Sequence, residues 1–139
     1  MTTRVLIPMD DSELAENALR YALETHADAE ITVMLVVGGP STMFGEASAL
    51  ALVDDMEAAA EEQASEVLDR ARAIAAEYDR DIDTVVEMGR PARAIVDQAE
   101  AFDTVVIGSH GSSFADRLFV GDVAQTVFRR CPVPVTVVR

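Results

Sequence analysis

The stretch best equipped for chemistry reads Gly108-Ser109-His110-Gly111-Ser112-Ser113-Phe114-Ala115-Asp116-Arg117-Leu118-Phe119-Val120-Gly121-Asp122, leaving an apolar run and entering a helical pattern. Two residues separate Gly108 from Gly111, and nine separate Gly111 from Gly121. Glycine at such places lets successive main-chain N–H groups converge, and a helix opening near Gly121 adds free donors and the positive end of its dipole. Together they make an anion cradle that needs no lysine. Arg117 is the only cationic side chain of the loop and adds a fork of donors. The hydroxyls of Ser109, Ser112 and Ser113 can donate to phosphate oxygens or satisfy their own loop. Three glycines alone fit two turns and a helix entry equally well, so the surrounding elements must decide.

Other chemistries lack their parts. All 11 residues counted as Lys+Arg are arginine, which removes Schiff-base and P-loop lysine chemistry. His110 has no orienting partner in the sequence, and His26 ends the first helical pattern, so His110 reads as a loop residue touching ligand or solvent. Cys131 stands alone, which excludes an intrachain disulfide or a thiolate metal site, and reads as a small buried apolar residue.

The loop must be held by what flanks it, and the chain alternates strand and helix patterns throughout. Val5-Leu6-Ile7 is a branched apolar run closed by Pro8, followed by the capping oxygens of Asp10-Asp11-Ser12 and an amphipathic helix to about His26. Ile31 to Val37 is a continuous apolar run stopped by Gly38-Gly39-Pro40, the pattern of a strand buried on both faces. A long helix follows, with Leu52, Met56, Ala59, Gln63, Val67, Ala71, Ile74 and Tyr78 on one stripe opposite an acidic face. Ile82 to Met88 reads as a third strand, Ala92 to Phe102 as a helix entered through Pro91, and Thr104 to Ile107 as a fourth strand ending at Gly108. Val123 to Arg130 and Val133 to Val138 supply the last helix and strand. The expected fold class is α/β, a five-stranded parallel sheet sandwiched by four helices in one domain, 1–139. Ligands in such sheets sit beyond the strand carboxyl ends where the winding reverses.

These pieces together resemble the universal stress protein family. The matching segments are Val5-Leu6-Ile7-Pro8-Met9-Asp10-Asp11-Ser12, Gly89-Arg90-Pro91-Ala92, Thr104-Val105-Val106-Ile107-Gly108-Ser109-His110-Gly111, Gly121-Asp122-Val123-Ala124 and Cys131-Pro132-Val133-Pro134-Val135-Thr136-Val137-Val138. The similarity spans residues 4–139. It implies a Rossmann-like, adenine nucleotide alpha hydrolase-like fold with strand order 3-2-1-4-5. It also implies that Gly108, Gly111 and Gly121 belong to the G-x2-G-x9-G-(S/T) motif of the ATP-binding members. Pro8, Met9 and Asp10 would then lie against the adenosine, with Asp10 near the ribose or a metal ion, and Val36 would offer main-chain groups to the adenine edge. Ser109, His110, Ser112, Arg117, Asp122 and Val123 would complete the phosphate side. The residue readings of a turn proline, a core methionine, a capping aspartate and a core valine remain open beside these. Asp122 stands where the motif has Ser or Thr, and an ionised carboxylate only accepts. It fits either a helix N-terminal carboxylate, competing with phosphate for donors unless Mg²⁺ intervenes, or a ligand of a divalent cation.

Composition sets the partners. With 25 acidic against 11 basic residues the net charge is -14 over 139 residues, which repels phosphate backbones and anionic headgroups and excludes direct nucleic-acid or membrane binding from expectation. A lysine-free acidic chain suits a cytoplasm of high ionic strength, a halophile-type composition, because screening damps carboxylate repulsion. The last strand should be an apolar edge, economically covered by a second copy, and the resemblance implies the same homodimer. The expectation is a cytoplasmic homodimer responding to an adenine nucleotide such as ATP with Mg²⁺ and showing an altered loop 109–120 to an unknown protein partner. It is not expected to be a dedicated enzyme. An interaction protein without nucleotide is the alternative, followed by slow ATP hydrolysis or autophosphorylation through Ser112 or Ser113.

Overall fold

The computed structural model describes residues 2–37, 46–109 and 122–139, with the backbone alone for 46–60 and 122. Along the chain lie β1 (Arg4–Met9), α1 (Glu13–Thr25), β2 (Glu30–Val37), α2 (Glu46–Glu77), β3 (Asp83–Met88), α3 (Pro91–Ala99), β4 (Thr104–Gly108), α4 (Asp122–Arg130) and β5 (Val135–Val138). The strands pair in parallel in the order β3-β2-β1-β4-β5. The expected five-stranded doubly wound sheet is therefore present, with its winding reversing between β1 and β4.

Side-chain alternation along the strands creates the two layers. Val5, Ile7 and Met9 of β1 and Ile31, Val33 and Leu35 of β2 pack with α1 and α2. Leu6, Met34, Val105 and Ile107 pack with α3 and α4. The middle strands are apolar in both directions because both of their faces are covered.

At the start of α1, Ser12 Oγ accepts from the Ala15 N–H at 3.1 Å, and Asp10 Oδ1 accepts from the Ser12 N–H at 2.9 Å. Three polar links then hold α1 to α2: Arg20 to Glu77 at 2.6 Å, Arg70 to Glu16 at 2.7 Å, and the Tyr78 hydroxyl donating to Glu24 at 2.9 Å. Exposed pairs of this kind add little stability. Arg80 closes the far end of α1, donating to the carbonyl of Ala29 at 2.6 Å.

Several boundaries differ from the sequence reading. Pro8 does not close β1 but lies within it, paired to Met34, and the strand continues to Met9. The third helix stops at Ala99 instead of Phe102, because the N–H groups of Ala101 and Phe102 bond three residues back, to Gln98 at 3.1 Å and Ala99 at 3.0 Å. That tight turn releases Phe102 to pack beneath the Arg4 guanidinium, 4.9 Å from the ring centroid. The last strand starts at Val135, not Val133, with the Pro134 carbonyl accepting from the Val105 N–H at 3.0 Å. On α2, Val67, Ala71 and Ile74 are buried as expected, but Gln63 is exposed and Ala64 and Leu68 take the buried positions there.

Candidate functional site

The sheet opens at its carboxyl edge for reasons that follow from strand alternation. Just ahead of β1 Thr3 O accepts from Glu30, and at its first residue Arg4 O accepts from Asp103, so odd residues face β2 and even residues face β4. Pro8 is therefore the residue whose missing N–H falls on the β4 side, and the paired register between β1 and β4 ends at Leu6↔Val105. Towards β2 the same strand stays paired as far as Met9↔Leu35. A notch results between the ends of β1 and β4, at the reversal point.

Two main-chain groups turn toward that notch and the adjoining end of β2. Val105 and Ser109 donate to β5, to Pro134 O at 3.0 Å and Val138 O at 2.8 Å, so alternation points the main chain of Gly108 toward β1. Val37 O accepts from the Gly89 N–H at 3.1 Å on the β3 side, so the carbonyl of Val36 points the other way, over the end of β1 where the chain leaves for Asp10. The Val36 side chain packs with the α3 and α4 cluster, which leaves its main chain bordering the site.

Above this end of the sheet lie two adjoining hollows. One, of about 190 Å³, is lined by Met9, Asp10, Asp11, Glu16, Gln63, Glu66, Val67 and Arg70. The other, of about 160 Å³, has walls of Leu35, Val36, Val37, Ala64 and Val67, with Asp10, Asp11 and Gln63 at its mouth. Each alone is smaller than the roughly 300–1,000 Å³ of a drug-sized site, so each suits one portion of a larger ligand. The second has the apolar walls and few convergent polar groups of a base-binding slot. Asp10 stands between the two, half-buried, with Oδ1 committed to the Ser12 N–H and Oδ2 without a partner among the described residues. No group of three or more His, Cys, Asp or Glu side chains gathers for a metal among the described residues.

The structure brings Pro8, Met9, Asp10, Val36 and Gly108 to one end of the sheet. Pro8 and Met9 are buried, Met9 within the α1 and α2 core while also lining the first hollow. Gly108 has a packing reason to be glycine: a Cβ there would stand 3.0 Å from the carbonyl carbon and oxygen of Leu14. Ser109 is buried, and its N–H is spent on Val138. Val123 is exposed on the first turn of α4. His110, Gly111, Ser112, Ser113, Arg117 and Gly121 lie outside the described residues, as does the Asp122 side chain. Gln63, Glu66 and Arg70 line the hollows from α2, which the sequence does not indicate: they sit within a helical pattern that reads as core stripe and solvated face, and only the position of α2 over β2 reveals them.

The family model for the universal stress protein family matches residues 1–139. The chain is 28% identical to Universal stress protein MJ0531 of Methanocaldococcus jannaschii over 98% of its own length and 81% of that protein. Among solved structures it superimposes with a TM-score of 0.83 on UspA from Lactobacillus plantarum, at 24% identity, covering 99% of this chain and 97% of that one. It also matches the Archaeoglobus fulgidus universal stress protein in complex with dAMP, with a TM-score of 0.65, 22% identity and coverage of 100% and 98%. The Arabidopsis thaliana family protein with AMP bound gives a TM-score of 0.65 at 15% identity, with coverage of 98% and 90%. These structural likenesses establish the fold, and the match along the entire sequence establishes the lineage: the chain belongs to the universal stress protein family.

Proposed function

We propose that this protein is a nucleotide-responsive module that binds ATP or a related adenine nucleotide with Mg²⁺ at the carboxyl edge of its sheet, acting through binding and not as a dedicated enzyme. The observation that carries the reading is the convergence of an apolar slot, the outward carbonyl of Val36 and the uncommitted Oδ2 of Asp10 at the notch beside Pro8. A carbonyl over an apolar slot suits an amino-bearing base edge, and a carboxylate oxygen suits ribose hydroxyls or a phosphate-bound cation. The structures of family members holding dAMP and AMP support the same ligand class. Gly108, Gly111 and Gly121, with the start of α4, would hold the phosphates, and Mg²⁺ would offset the charge of Asp122 there. The nucleotide would reshape the loop 109–120 and thereby the surface offered to a protein partner, in a cytoplasmic homodimer paired through β5.

The substitution of Asp122 for the motif's Ser or Thr favours a second reading, a dimeric interaction protein of the same fold without nucleotide. Titration with Mg-ATP in high-salt buffer separates the two. The first reading expects saturable binding that weakens at least tenfold in Asp10→Ala. Absence of binding to the wild type, with binding restored by Asp122→Ser, selects the second.

A further inference from the structure

Gln63 occupies a place on α2 where the helical pattern puts a core residue, yet its side chain is exposed and makes no hydrogen bond to any described residue. It borders both hollows, as Asp10 does, and shares the second with the Leu35 to Val37 end of β2. The other polar side chains lining them are the carboxylates of Asp10, Asp11, Glu16 and Glu66, and Arg70, which is bound to Glu16 at 2.7 Å. Among the described lining residues Gln63 is thus the sole neutral polar group, and the sole one carrying both a donor and an acceptor.

We infer that Gln63 is a specificity-determining residue that reads the base of the bound nucleotide, its amide oxygen accepting from the amino group of adenine and its amide N–H donating to the adjacent ring nitrogen. The inference rests on the adenine-nucleotide reading above and adds to it a residue that selects the base. A primary amide presents acceptor and donor side by side, the complement of the amino group and N7 on the outer edge of adenine. The amino group has two hydrogens, so the Val36 carbonyl can take one and Gln63 the other. Guanine carries an oxygen where adenine carries that amino group, which would set two carbonyls and an amide oxygen against one another. Sites built around a hydrogen-bonding edge reject a ligand that leaves those groups unpaired far more strongly than apolar sites reject a size change. The carboxylates around Gln63 cannot substitute for it, because ionised they have no proton to donate.

The test is titration of wild type, Gln63→Ala and Gln63→Glu with Mg-ATP and Mg-GTP at equal ionic strength, with circular dichroism confirming the fold. Alanine at an exposed helical position preserves α2. The expected result is that wild type prefers ATP, that Gln63→Ala loses about tenfold in ATP affinity with GTP nearly unchanged, and that Gln63→Glu also loses ATP affinity, because a carboxylate cannot donate to the ring nitrogen. A wild type that prefers ATP by the same ratio as Gln63→Ala overturns the role of Gln63 and leaves the nucleotide site standing. A wild type that binds neither nucleotide overturns the site, and this inference with it.

Discussion

On the proposed reading, two aspartates set the charge at the site and act in opposite senses. Asp10 spends one oxygen on the Ser12 N–H at 2.9 Å, which leaves the other without a partner among the described residues and open to a nucleotide there. Asp122 opens α4, where a carboxylate is favoured by the helix dipole and would compete with a bound phosphate for the same donors. A single like-charge contact at 4 Å costs about 1 kcal/mol even in water and more in a cleft. Asp122→Ser is therefore expected to tighten ATP binding about tenfold or more without Mg²⁺, and by less with it, as read by calorimetry under both conditions. Equal gains in the two conditions would show that Asp122 does not act through charge. Wild type should bind ATP at least tenfold more weakly once Mg²⁺ is removed, for the same reason.

At the scale of elements, the site exists because a helix and a strand end approach closely and a proline ends a ladder early. Gly108 allows the first turn of α1 to sit on the end of β4, with no space for a Cβ against the Leu14 main chain. Gly108→Ala should destabilise the protein by about 1–3 kcal/mol, the usual cost of overpacking, measured by urea unfolding at constant slope. A neutral effect would mean that α1 shifts freely, and the positioning of Asp10 by α1 would then be in question. The apolar runs Val5-Leu6-Ile7 and Ile31 to Val37 make these strands and their covered faces legible in the sequence, because a strand buried on both faces carries apolar residues in succession. The continuation of β1 through Pro8 was not legible. A proline reads as a stop unless one knows which neighbour its missing N–H would have faced, and that depends on the sheet order. Gln63 escaped for a related reason: one helical stripe contains both core and site residues, and they part where α2 passes the end of β2.

For the molecule as a whole, charge and the outer edge of β5 bear on whether copies pair. Carbonyls of Pro134 and Val138 bond to β4, so alternation turns the N–H and C=O groups of Val135 and Val137 outward along β5. Val137→Pro removes one outward donor without touching the ladder to β4, and edge strands tolerate proline. If copies pair through β5, this variant should sediment as a monomer while keeping its circular dichroism; an unchanged dimer would place the interface elsewhere. The charge of -14 adds a second expectation: the melting temperature should rise as KCl is raised from low to molar concentration, because carboxylate repulsion is screened. No helix among the described residues is long and apolar enough to cross a membrane. If the hollow beside Asp10 and Val36 receives an adenine nucleotide, the main chain around it must be protected by that ligand. In hydrogen exchange of the wild type with and without saturating Mg-ATP, exchange should slow at Asp11 and Ser12 and along α2 around Gln63, with β5 unaffected. Unchanged exchange throughout those segments at saturating nucleotide would contradict binding there.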